Sequence, residues 1–203
     1  MRRALVCLAA MTALAGCGST SASTSTTTFT STTTITTTRS TTTSRNTGAV
    51  TAQAAGAGCS ARQITLSVAL GGAGLSHVGV VLRFRNTGAS GCTLTGYPGA
   101  TLVTASGLLV QARRTRAGYL GGLTGSTHAL PVVHLASGTT ASALLEGLDA
   151  DVAHGGGPCP RYTHLLVTAP NQRVTVRLPT PLRQVCQPEV HPVLPGLSGR
   201  AAG

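Results

Sequence analysis

The sequence has no lysine and no tryptophan, and it is poor in acidic and aromatic residues. Its 203 residues include 15 arginines, four acidic residues, three tyrosines and two phenylalanines. With so few aromatic side chains, the chain lacks the stacking platforms that single-stranded nucleic acid requires. Four carboxylates leave little material for paired-carboxylate catalysis. After the N-terminus there is no uncharged apolar run of about 18 residues, which excludes a protein with several membrane-spanning helices.

The first 17 residues have the features of a bacterial lipoprotein signal. Arg2 and Arg3 form a positively charged start, and a short apolar stretch follows over residues 4–13. Leu14-Ala15-Gly16-Cys17 then resembles the lipobox of bacterial lipoproteins, in which the cysteine thiol carries a diacylglyceryl group. We expect a signal peptide over residues 1–16 and lipidation of Cys17, which would hold the protein at the outer face of the cytoplasmic membrane or in the cell wall. The alternative is an ordinary secretory signal with a chance cysteine.

Residues 17–58 are expected to form a disordered linker after the lipidated cysteine. Between residues 18 and 47, 23 of 30 residues are serine or threonine, and glycine and alanine dominate from there to residue 58. A segment with so few apolar side chains cannot bury enough surface to offset the entropy lost on ordering. The linker would therefore let a folded domain stand away from the membrane.

From Cys59 onward, apolar and polar residues alternate as in half-buried β-strands. Turn signals rich in glycine, proline and asparagine separate nine predicted strands. Their ranges are 63–70, 78–86, 100–104, 108–112, 131–135, 140–145, 162–168, 173–178 and 190–194. Residues 141–148 are also compatible with a short helix. The pattern predicts an all-β, antiparallel β-sandwich of about seven to nine strands over residues 59–194, with a disordered tail at 195–203.

Four cysteines remain in the predicted domain, and an exported domain lies in an oxidising compartment. Cys59 precedes the first predicted strand and Cys92 follows the second, so an antiparallel hairpin brings them to the same end. Cys159 and Cys186 flank the hairpin of strands 162–168 and 173–178 in the same way. Of the three possible connectivities, this geometry favours disulfides 59–92 and 159–186.

Arginine side chains alternate with the apolar positions of two predicted strands. Four of them form a candidate anion-binding face: Arg83, Arg85, Arg173 and Arg177. Residues 17–203 contain 13 arginines and four acidic residues, a net charge of +9 with neutral histidine. Such a balance attracts anionic lipid headgroups or wall polyanions, although a solvated basic face explains the same residues. Nucleic acid is not an expected partner at an extracytoplasmic address.

No sequence motif of a known catalytic site is present. There is no Gly-x-Ser-x-Gly, no phosphate-binding glycine loop and no His-Glu-x-x-His. His154 and His164 bracket Cys159 and would suit a metal, but a disulfide would occupy that sulfur. Three acidic residues, Glu146, Asp149 and Asp151, are expected in a solvated loop rather than in a calcium site. We expect a non-enzymatic interaction or structural module without a cofactor; the alternatives are an exported hydrolase and a metal-binding domain.

Taken with the lipobox and the linker, the segment 84–98 (FRNTGASGCTLTGYP) is similar to an actinobacterial lipoprotein domain catalogued as domain of unknown function 4232. The resemblance spans about residues 59–194. It implies a secreted Ig-like β-sandwich with two disulfides and no assigned activity, and it carries over no catalytic residue. The exclusive use of arginine as the basic residue is consistent with a GC-rich actinobacterial source.

Overall fold

The computed structural model describes residues 56–125 and 129–202. The expected signal peptide, Cys17 and the linker up to residue 55 lie outside these ranges. Within them, the regular structure is β-strand apart from one short 3₁₀-helix at Val152–His154. None of the helical structure described there is long and apolar enough to cross a membrane.

The described chain contains 14 strands, of which nine have four or more residues. In chain order they are β1 (Ile64–Gly74), β2 (His77–Asn86), β3 (Cys92–Thr95), β4 (Gly99–Thr104), β5 (Leu109–Gln111), β6 (Arg113–Arg114), β7 (Val132–Leu135), β8 (Thr140–Leu148), β9 (Ala150–Asp151), β10 (Gly157–Pro158), β11 (Tyr162–Thr168), β12 (Thr175–Pro179), β13 (Cys186–Val190) and β14 (Leu194–Pro195). The predicted all-β fold class is confirmed.

Two larger sheets and two small ones are formed by these strands. The first sheet has the order β1-β2-β8-β13-β6, with β14 also paired to β8, and the second has the order β12-β11-β4-β5. The strand pairs β3–β7 and β9–β10 form the small sheets. Every pair of named strands is antiparallel except β13 with β6, which is parallel.

The core lies between the two larger sheets. Leu82 and Phe84 of β2 and Leu145 of β8 pack in one cluster with Leu102 of β4 and Leu165 of β11, and all five are fully buried. These residues occupy alternate positions of their strands because successive side chains of a strand point to opposite faces. Burying the inner faces of two sheets against each other produces the predicted β-sandwich.

Strand β8 lies at the centre of the first sheet and is covered on both faces. Leu145 faces the sandwich core, whereas Leu144 packs on the other side against Val81 and Leu120. Residues 141–147 are consequently buried without a break. A run that is apolar on both faces hides the two-residue period of a strand, which explains why a short helix at 141–148 was a competing prediction. That helix is wrong.

The C-terminal segment 195–202 is ordered, so the predicted disordered tail is a second correction. The Ser142 hydroxyl donates a hydrogen bond to the Gly196 carbonyl and accepts one from the Gly199 amide, both at 2.8 Å. The Ala201 amide donates to the Gly122 carbonyl at 3.2 Å. Glycine and serine let this segment lie flat on the outer face of β8, and its backbone groups find partners there.

At the N-terminal end, residues 56–58, which precede the predicted boundary, also belong to the domain. The Thr93 amide donates to the Ala57 carbonyl, and the Cys59 amide donates to the Thr93 carbonyl, both at 3.0 Å. The Thr93 hydroxyl donates to the Gly56 carbonyl, also at 3.0 Å. Residues 56–58 therefore lie against β3 rather than in the linker.

Both predicted disulfides are present. Cys59 is bonded to Cys92, with Cα atoms 4.8 Å apart, and Cys159 to Cys186, with Cα atoms 4.9 Å apart. Each disulfide also closes an antiparallel hairpin as predicted, because β1 pairs with β2 and β11 pairs with β12.

The far end of the β1–β2 hairpin departs from the predicted alternation. Leu70 was expected on the core face with Ile64, but its residue is 81% exposed. A register shift follows it at Gly72, and the edge strand continues beyond the core into the turn. Leu75 and Ser76 make a two-residue turn with φ values of 44° and 62°.

Candidate functional site

A glutamate is buried on the outer face of the first sheet. Glu146 follows Ser142 and Leu144 on that face of β8, and its residue is only 2% exposed. The segment between β6 and β7 covers it, and at Gly118 a Cβ atom would fall 1.5 Å from Glu146 Oε1. A glycine at this position lets the backbone cross directly over the carboxylate.

Hydrogen bonds satisfy both oxygens of this carboxylate. The Leu120 amide donates to Glu146 Oε2 at 2.6 Å. His191, which is fully buried just after β13, places Nε2 2.9 Å from Glu146 Oε1. A buried carboxylate is stable only when such partners replace water, so the covering segment and His191 are what hold Glu146 inside.

The network continues from His191 to the edge of the sheet. Nδ1 of His191 lies 3.1 Å from the carbonyl oxygen of Thr115, and the Thr115 hydroxyl donates to Glu189 Oε2 at 3.0 Å. Glu189 also forms an ion pair with Arg113. Nδ1 of His191 also lies 3.1 Å from the Thr115 hydroxyl oxygen, so both ring nitrogens have polar partners. A chain of five side chains thus joins β8, β13 and β6.

Strand register explains why each carboxylate of this network needs its own hydrogen-bond donor. Glu146 of β8 lies directly opposite Glu189 of β13, and Glu189 lies directly opposite Arg113 of β6. Two carboxylates that face each other across an antiparallel pair repel. His191, two residues after Glu189 in the chain, bonds to Glu146, and Arg113 pairs with Glu189, so each carboxylate has its own cationic or N–H partner.

The pKa of the Glu146 carboxyl reflects two opposing effects. Burial raises this pKa, because it penalises the charged form. Hydrogen bonds from His191 and from the Leu120 amide, together with the charges of His191 and His77, lower it by more. The net result is a pKa below the usual value of 4.5, so the ionised carboxylate is the form that the fold favours.

Beside the network is a small cavity of about 120 Å³, lined by His77, Tyr119, Glu146 and Glu189 among others. The rings of His77 and Tyr119 are stacked with centroids 4.7 Å apart. Nδ1 of His77 is buried and has no hydrogen-bond partner among the described residues. His77 thus lines the cavity while one of its ring nitrogens stays buried, and the carboxylates beside it already have partners.

Glu146, His191 and Thr115 also have the connectivity of a carboxylate–histidine–hydroxyl relay. In a hydrolase, such a relay activates a hydroxyl that faces the substrate. Here His191 is fully buried, and the Thr115 hydroxyl donates to Glu189. In this geometry the three side chains cross-link the covering segment to the sheet.

The four arginines of the candidate anion-binding face do not form one surface. Arg83 and Arg85 lie on the outer face of the first sheet, whereas Leu82 and Phe84 of the same strand point into the core. Arg177 pairs with Leu166 on the outer face of the second sheet, on the other side of the core. Arg173 precedes β12, which starts at Thr175, so the expected alternation does not include it.

The other predicted candidates are dispersed. His154 bonds to Asp151 through Nδ1 at 2.9 Å, whereas His164 lies on β11 and lines a shallow groove with Arg177. In the described ranges, no three histidine, cysteine, aspartate or glutamate side chains are grouped as metal ligands would be. Glu146 was predicted in a solvated loop with Asp149 and Asp151, and its burial on β8 corrects that prediction.

Sequence reasoning missed His191, Thr115 and Tyr119. None of them belongs to a recognisable motif, and the strand predicted over residues 190–194 is displaced, because β13 spans Cys186–Val190 and ends just before His191. One signal was available, because Glu146 interrupts an apolar run, and a charged residue inside such a run requires a partner. The identity of that partner depends on the three-dimensional pairing of β8 with β13.

Comparison with known protein families gives one match for this two-sheet domain. The family model described as a domain of unknown function (DUF4232) matches residues 59–193. The chain belongs to this family. No curated protein and no solved structure matches the chain significantly.

Proposed function

We propose that this protein is a lipid-anchored, extracytoplasmic protein whose β-sandwich acts as a non-enzymatic interaction or structural module. The observation that carries the proposal is the pair of disulfides, Cys59–Cys92 and Cys159–Cys186. Disulfides of this kind persist in oxidising compartments outside the cytoplasm. They agree with the exported location that the lipobox at Leu14-Ala15-Gly16-Cys17 predicts.

The charge balance supports anionic envelope components as the partners of the module. The described residues include eleven arginines and all four acidic residues of the chain. Two of the acidic side chains, Glu146 and Glu189, are already engaged in the network described above. The outer surfaces of the sandwich are thus mainly cationic, which suits lipid phosphates or wall polyanions.

The anchor is tested by the mass of the N-terminal peptide of the protein from its native host. Cys17 is expected to carry acyl groups, and Cys17→Ala is expected to release the protein from the membrane fraction. Cys7→Ala is the matched control, because Cys7 belongs to the segment that the signal peptidase would remove. An unmodified Cys17 in the native host would overturn the anchored model.

A further inference from the structure

Two arginines converge in a groove on the outer face of the first sheet. The groove has a volume of about 430 Å³ and lies between β1, β2 and the C-terminal segment. Arg83 of β2 and Arg200 of the C-terminal segment line it, together with the side chains of Leu70, Leu197 and Ser198. We call it the Arg83–Arg200 groove.

The C-terminal segment is fixed in the position that brings Arg200 to the groove. Ser142, which lies directly opposite Arg83 in the β2–β8 register, holds Gly196 and Gly199 through its hydroxyl. The Gly122 amide donates to the Gly199 carbonyl at 3.1 Å. Arg200 then reaches β1, where Nη2 donates to the Gly71 carbonyl at 3.3 Å.

The positive charges of this groove are not balanced by carboxylates. Three ion pairs occur among the described residues, and none of them includes Arg83 or Arg200. Nε of Arg83 is buried and has no hydrogen-bond partner in residues 56–125 and 129–202. A buried N–H without an acceptor is costly, and an anion bound to the same guanidinium would offset that cost electrostatically.

The rim of the groove is apolar. Leu70 is 81% exposed and Leu197 is 56% exposed, although both are large aliphatic residues. Exposed leucines on either side of paired arginines suit a ligand that has an anionic end and an apolar part. Two guanidinium groups can engage several oxygens at once, which suits the three or four oxygens of a phosphate better than the two of a carboxylate.

We propose that the Arg83–Arg200 groove binds the phosphate group of an amphiphilic organic phosphate, with its apolar part against Leu70 and Leu197. The Ser198 hydroxyl, which accepts a hydrogen bond from the Arg200 amide, keeps its own proton available for a phosphate oxygen. The groove gives a specific site to the anionic partner of the proposed function. The proposed phosphate site depends on the proposed function in one respect only, which is the extracytoplasmic location of the ligand.

The test uses the full chain as the Cys17→Ser variant, so that vesicle binding cannot come from an acyl anchor. Inorganic phosphate is titrated against the ¹⁵N-labelled chain at constant ionic strength, with acetate in a parallel titration. Co-sedimentation is then measured with phosphatidylglycerol vesicles and with phosphatidylcholine vesicles. The amides of Gly71, Ser198 and Arg200 are expected to shift with phosphate more than with acetate.

Four variants separate a specific groove from diffuse charge. Arg83→Gln and Arg200→Gln are each expected to weaken binding by about tenfold, because each removes a charged hydrogen-bond donor. Arg85→Gln removes the same charge two residues away on the same face, and its affinity is expected to stay within about twofold of the parent chain. Arg83→Lys is expected to behave like Arg83→Gln toward phosphate, because lysine lacks the planar fork.

The outcomes test whether the groove binds phosphate and show whether that phosphate belongs to a membrane lipid or to a soluble compound. Binding to phosphatidylglycerol vesicles identifies a membrane lipid, whereas phosphate-dependent shifts without vesicle binding identify a soluble phosphate compound. Equal losses in Arg85→Gln and Arg83→Gln, or no response to any probe, would overturn the proposed groove. Thermal unfolding of each variant checks the fold. The lipid anchor is tested separately, by the mass of the Cys17 peptide.

Discussion

At the scale of single residues, the buried carboxylate of Glu146 joins the covering segment and His191 on the outer face of the first sheet. Its carboxylate accepts hydrogen bonds from the covering segment and lies within hydrogen-bonding distance of His191. Glutamine at this position would keep one acceptor oxygen and replace the other by an NH₂ donor, so either the Leu120 amide or the His191 ring would lose its acceptor. Such buried, unsatisfied groups cost about 1–3 kcal/mol each.

We therefore expect Glu146→Gln to lower the free energy of unfolding by about 1–3 kcal/mol at pH 7. Because the folded pKa of Glu146 is below its usual value of 4.5, the stability from the ionised form is present above that value. It is lost as the pH falls through the folded pKa. The difference between the parent and Glu146→Gln should accordingly shrink in acid.

Urea unfolding at pH 7 and at about pH 3 measures this difference. Asp149→Asn is the matched control, because Asp149 is an exposed acidic residue three positions later. A gap between the parent and Glu146→Gln that stays constant from neutral to acidic pH would show that the charge of Glu146 contributes nothing to folding.

A second residue-scale prediction concerns the turn between β1 and β2. Leu75 and Ser76 both have positive φ values, 44° and 62°. Residues other than glycine and asparagine adopt such values at a cost of about 1 kcal/mol or more. Replacing them by Asn-Gly should raise the stability by about 1 kcal/mol and the Tm by several degrees. Leu108→Asn, at another exposed leucine without a positive φ, should leave the Tm nearly unchanged.

At the scale of elements, the C-terminal segment contributes to the sheet on which it lies. Gly199 has φ +66°, and a Cβ added there would lie 2.6 Å from the Leu144 backbone nitrogen. Gly196 also has a positive φ, +87°, but nothing lies within 4 Å of its added Cβ. Alanine would have an unfavourable φ at either position, but only at Gly199 would its Cβ also clash with β8. Comparing the two variants therefore separates the cost of backbone strain from the cost of the clash.

We expect Gly199→Ala to destabilise the protein by about 2–4 kcal/mol and Gly196→Ala by only about 1 kcal/mol. The physical reason is that Gly199→Ala must lift the segment from β8, which uncovers Leu144. Chemical denaturation of both variants checks the difference, and hydrogen exchange of the Leu144 amide should increase only in Gly199→Ala. Similar losses in the two variants would mean that the segment does not pack closely on β8.

The disulfides provide the second prediction at this scale. Peptide mapping without reduction should recover peptides that join Cys59 to Cys92 and Cys159 to Cys186. Replacing both members of the second pair by serine is expected to cost about 2–5 kcal/mol, chiefly because the unfolded chain gains freedom. A peptide that links Cys92 to Cys159 would contradict the pairing.

Elements with a clear local pattern could be predicted from the sequence, and elements defined by distant partners could not. Strand β11 was predicted with its observed bounds, because its alternation is regular and turns flank it. Strand β13 was predicted at displaced bounds because its sequence, CQPEV, contains proline and glutamate at positions that only the pairing with β8 and β6 explains. The buried network around His191 could not be predicted for the same reason.

At the scale of the whole molecule, the excess of arginine over acidic residues governs long-range attraction. Exposed charges are screened beyond about 8 Å at physiological salt. Co-sedimentation of the Cys17→Ser chain with phosphatidylglycerol vesicles should therefore weaken markedly between low salt and about 0.5 M salt. Binding that does not respond to salt would assign the arginines to solubility alone.

The way in which the larger sheets are connected sets how fast this molecule can fold. Leu82 of β2 lies opposite Ala143 of β8, and Leu102 of β4 lies opposite Leu165 of β11, so both sheets join strands about 60 residues apart. Closing such long loops costs entropy before any contact is gained, and chains of this kind fold in milliseconds to seconds. During that time β1 and β2 form only a hairpin with an open edge. Refolding yield should therefore fall as the protein concentration rises, because open edges of neighbouring chains can pair first.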